Sequence, residues 1–78
     1  MAELRDVRPR RGISALQRAG GVVRKGGKGD HVNIKMPSGQ IVTFSSRREP
    51  IKIGLLKAML RKAGLSEAEF QQVLEGER

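Results

Sequence analysis

The stretch KGGKGDHVNIKMPSGQIVTF, Lys25–Phe44, decides the fold. From His31 to Met36 apolar and polar residues alternate. Val32, Ile34 and Met36 fall on one side of a strand, and His31, Asn33 and Lys35 on the other. Pro37-Ser38-Gly39 supplies turn chemistry. Gln40–Phe44 alternates again, with Val42 and Phe44 as the bulkier inward pair and Ile41 and Thr43 outward. Two such strands around so short a turn form an antiparallel hairpin, and the alternation alone leaves its register open.

Upstream, Val22 and Val23 begin a short strand that ends in a glycine- and lysine-rich loop, Arg24–Asp30. Before it, Pro9 suits the first turn of a helix, where a missing N–H costs nothing. Ile13, Leu16 and Ala19 follow at helical spacing, and Gly20-Gly21 provide a stop, so the pattern predicts a helix over 9–19, with a later start at the capping-box spacing of Ser14 and Gln17 as the alternative. Gly12 inside it costs about 1 kcal/mol relative to alanine. Residues 1–8 read as a basic arm with little to bury, and residues 9–78 as a single domain.

Downstream, Ser45–Pro50 is polar and basic and reads as a loop. A helix over 54–63 follows, with Ile53, Leu56, Met59, Leu60 and Ala63 on one stripe and Gly64 as its left-handed end. Ser66 and Glu69 have capping-box spacing, and Leu65 with Phe70 matches the hydrophobic staple. A third helix therefore runs from Glu67 to about Leu74, with Phe70, Val73 and Leu74 inward. The order is α-β-β-β-α-α. The fold class expected is α+β, a two-layer sandwich with a three-stranded antiparallel sheet and helices on one face. The other sheet face, carrying His31 and Lys35, would then be open.

Charge bears on partners. The 78 residues hold 16 Lys+Arg against 8 Asp+Glu, net +8. The imbalance is uneven: residues 1–66 carry fifteen bases and four acids, net +11, and residues 67–78 are net −3. Such a body attracts polyanions through phosphate contacts and counterion release. With two Phe and no Tyr or Trp, the chain has no aromatic platform for stacking single-stranded bases, so backbone or shape recognition fits better. There is no cysteine for a disulfide or thiolate metal site, and one histidine makes no zinc donor set. No cofactor is expected. No apolar run approaches the roughly 20 residues of a bilayer span and no secretory signal pattern is present, so the expectation is a cytoplasmic protein without membrane contact.

These pieces together resemble the HicA toxins, also called YcfA-like proteins. The matching residues are Ile13, Leu16 and Gly20, then Lys28-Gly29-Asp30-His31, then Pro37-x-Gly39-x-x-Val42-Thr43. Gly54-x-Leu56, Ala63-Gly64-Leu65-Ser66 and Phe70 complete the pattern over residues 13–74. The resemblance implies a double-stranded-RNA-binding-domain-like fold and a ribosome-independent endoribonuclease acting on mRNA, an mRNA interferase. It also implies inhibition by a HicB-type antitoxin, and a single catalytic histidine following a glycine in the first hairpin, which maps onto His31.

Taken without the resemblance, His31 reads as a surface residue of a strand. With it, an imidazole that can act as base or acid near neutral pH is a reasonable catalyst for RNA cleavage. Lys28 or Lys35 could stabilise the anionic transition state. Lys35 lies four residues along the same face, roughly 13 Å by strand rise, and suits a flanking phosphate better. Lys25, Lys28 and Gly29 of the loop, together with Arg47 and Arg48, complete the candidate RNA contacts; plain solvated loops are the alternative for both segments. Asp30 would point away from His31 on a regular strand, so it is as readily a turn residue as a partner. Two functions remain open on sequence: a toxin ribonuclease using His31, or a non-catalytic RNA-binding module (a degenerate toxin) of the same fold.

Overall fold

The computed structural model describes residues 6–24, 31–45 and 49–76. The elements are α1 (Pro9–Arg18), β1 (Val22–Arg24), β2 (His31–Lys35), β3 (Ile41–Ser45), α2 (Ile53–Ala63) and α3 (Glu67–Glu75). The strands form one open antiparallel sheet in the order β1-β2-β3. α1 and α2 pack against the sheet, and α3 packs on α1 and α2. The expected α+β arrangement and its element order are as read from the sequence.

The turn fixes the register that alternation left open. Gly39 N–H donates to the Met36 carbonyl at 2.8 Å and Met36 N–H to the Gln40 carbonyl at 2.9 Å. Gly39, at φ 94°, takes the left-handed position that closes a three-residue hairpin loop. Lys35 then pairs with Ile41, Ile34 with Val42, Asn33 with Thr43, Val32 with Phe44 and His31 with Ser45. Ile34, Met36, Val42 and Phe44 are buried on the helical side with Leu16, Leu56, Leu60 and Phe70.

Gly12 is the residue that lets α1 lie this close to the sheet. A Cβ built there would stand 2.8 Å from Cε2 of Phe44, whose ring is fully buried. The helix-propensity cost read from sequence is thus exchanged for close packing. The C-terminal end of α3 has no basic residue in its own last turn, and Arg11 of α1 donates to the Leu74 carbonyl at 3.2 Å instead. The capping box of α3 forms as expected: Ser66 Oγ accepts from Glu69 N–H at 3.1 Å, and Glu69 Oε1 accepts from Ser66 N–H at 2.8 Å.

Two expectations need correction. Val7, assigned to an arm with little to bury, is a core residue at 3% exposure, and its carbonyl accepts from Ile51 N–H at 2.8 Å. A lone valine has no periodic partners to announce its burial in the sequence. Ile53, placed on the buried stripe of α2, is 44% exposed. It opens the helix, one turn short of where α2 meets the layer beneath, and Leu56, Met59, Leu60 and Ala63 carry the contact.

Candidate nucleic-acid interface

The sheet face away from the helices is open and basic. The register sets its rows. Val22, Lys35 and Ile41 form one row, and Arg24, Asn33 and Thr43 the next; His31 and Ser45 begin a third. His31, Lys35 and Arg24 are exposed, as the alternation of β2 predicts for its two members. Thr43 Oγ1 donates to Asn33 Oδ1 at 2.7 Å, which ties β2 to β3 at the centre of this face.

Arg24 pairs directly with Asn33. It is therefore a diagonal neighbour of both His31 and Lys35, which flank Asn33 by two residues on either side. Such diagonal pairs lie about 7–8 Å apart. The three side chains form a diagonal file His31–Arg24–Lys35 across two strands. Lys35 itself remains a four-residue step from His31, with Asn33 between them on the same face of β2.

Sequence reading placed Arg24 at the start of a loop and did not count it among the site residues. Its strand position was legible in one signal: if Val22 begins a strand, Arg24 shares its face. Among the other candidates, Lys25, Lys28, Gly29, Arg47 and Arg48 lie outside the described residues, as does Asp30.

Both phenylalanines are fully buried, so neither can stack on a base. The exposed apolar side chains on the open face are aliphatic: Val22 at 62% and Ile41 at 39% exposure flank Lys35 in its row. Among the described residues no helix is long and apolar enough to cross a membrane.

The fold and this face define a small basic α+β domain that presents a histidine and a file of cations on an open three-stranded sheet. The model of the HicA toxin family of bacterial toxin–antitoxin systems matches residues 10–65. The chain belongs to that family, and its partner in such a system is an antitoxin. The matched span contains α1 except its first residue, Pro9, together with the whole sheet and α2. No curated protein matches the chain.

Proposed function

We propose that this toxin is a ribosome-independent endoribonuclease that cleaves mRNA in the cytoplasm with His31 as its catalytic residue, and that a HicB-type antitoxin of a type II system inhibits it. The observation that most supports this reading is the position of the single histidine: exposed at the end of β2, on the open face, one diagonal step from Arg24.

The chemistry follows from that position. The imidazole takes the proton of a ribose 2′-hydroxyl, and the resulting oxygen attacks the adjacent phosphorus. The P–O5′ bond breaks, the departing oxygen is protonated, and a 2′,3′-cyclic phosphate and a 5′-hydroxyl result. The phosphorane carries extra negative charge, which a nearby guanidinium stabilises. Arg24 is closer to that charge than Lys35, which suits a flanking phosphate. With one histidine for two proton transfers, turnover is modest.

Incubating RNA with the purified protein in EDTA tests the reading. Wild-type protein should produce fragments, and His31→Ala should bind RNA without cutting it. Rates lower by about 10²–10⁴-fold are expected for the loss of a general acid or base. A mobility shift with no fragments from wild type would make the protein a non-catalytic RNA binder. Cleavage by His31→Ala at the wild-type rate would remove the catalytic assignment.

A further inference from the structure

The open face carries a further feature at its far end from His31. An open groove of about 450 Å³ is lined by Gly20, Val22, Arg24, Lys35, Met36 and Pro37. Its volume falls in the roughly 300–1,000 Å³ range of small-ligand sites. Gly20 shapes one wall. A Cβ there would come within 2.9 Å of Pro37 Cγ, and its φ of 102° already requires glycine. Val22, 62% exposed, supplies an aliphatic surface beside that wall.

Among the described residues that line it, the groove combines this aliphatic surface with two cations and no carboxylate. Arg24 belongs both to the groove and to the file leading from His31. An RNA strand whose scissile phosphate lies at His31 would therefore run along the file toward Lys35. Resting on the reading of His31 as the cleavage site, we propose that the groove is a nucleotide subsite for the substrate strand. Arg24, at the His31 end, contacts the scissile phosphate and Lys35 a flanking one, and Val22 with Pro37 receives a base. Apolar side chains other than aromatics serve as such base contacts. The charge favours this occupant: phosphates complement Arg24 and Lys35, and the whole chain is net +8.

The test uses the 78-residue chain carrying His31→Ala, so that RNA stays intact, titrated with a uridine hexaribonucleotide. Amide resonances of Val22, Arg24, Lys35 and Met36 should shift. In the same background, Arg24→Ala with Lys35→Ala should reduce the slope of log affinity against log salt by about 1.4, two single-strand phosphate contacts. Val22→Ser should weaken binding with the slope unchanged. All three side chains are exposed, so the variants keep the core intact. Shifts confined to the helical layer, or a salt slope unchanged in the double variant, would overturn the subsite. So would a groove that ignores RNA and responds only to an acidic protein partner. The two readings fail separately. Cleavage that survives His31→Ala removes the catalytic role and leaves the groove to be judged by its shifts and slope.

Discussion

Arg24 on β1 and His31 on β2 are diagonal neighbours on the open face of the sheet, because Arg24 pairs with Asn33 two residues from the histidine. The pairing of strands, and no local feature of either segment, brings a guanidinium within reach of the imidazole. Arg24→Ala should therefore lower kcat of RNA cleavage, by tenfold or more if the guanidinium stabilises the phosphorane as an oxyanion donor does. An unchanged kcat with a raised KM would restrict Arg24 to phosphate binding.

Binding should depend strongly on salt, because both aromatic residues are buried and the face offers cations instead. Log affinity for single-stranded RNA should fall with log salt at about −0.7 per phosphate contacted. A titration from low to moderate ionic strength checks this; a flat response would mean that the basic face is not the binding surface.

The open face is where the antitoxin is expected to dock. Val22 and Ile41 on either side of Lys35 give it aliphatic surface to bury, and the net +8 chain attracts an acidic partner. Modification of His31 by diethyl pyrocarbonate should be slower in the toxin–antitoxin complex than in the toxin alone. Equal rates would place the antitoxin elsewhere.

Gly12→Ala presents two opposed effects. Alanine favours a helix interior by about 1 kcal/mol. The new methyl, however, would press to 2.8 Å on the buried Phe44 ring, which is enclosed and cannot swing away. Overpacking of this kind costs about 1–3 kcal/mol, so the net effect should be a loss of stability. Chemical denaturation measures it, and Phe44→Leu in the Gly12→Ala background should recover part of the loss by making room.

The cap of α3 should be pH-dependent. Hydrogen bonds from the Ser66 backbone and side chain hold the Glu69 carboxyl below the ordinary glutamate range. A depressed pKa means that the contribution is complete above the unfolded-state value and fades as pH falls through the folded one. Glu69→Gln keeps a side-chain acceptor for Ser66 N–H and should abolish this acid-range dependence. Ser66→Ala should cost about 1 kcal/mol at neutral pH. Carboxyl NMR titration of Glu69 is the direct check, and an ordinary midpoint would sink the linkage.

Local chemistry alone made much of this chain readable. The alternation around Pro37-Ser38-Gly39 set the two strands and their inward faces, since successive side chains of a strand must point oppositely. Ser66 and Glu69 announced α3 because the cap is made within four residues, and Gly64 closed α2 in the left-handed conformation, φ 80°. Features that join distant segments were decided only by the tertiary structure. Val7 is buried because its segment meets Ile51, forty-four positions away in sequence. Gly12 is required by Phe44, a residue of another element. Arg24 joins His31 and Lys35 because β1 pairs with β2 in one register, and a shift of a single residue would have turned Arg24 toward the helices. Periodicity reports which face of an element is buried; only the packed chain determines which faces meet, because that depends on contacts between residues no local pattern connects.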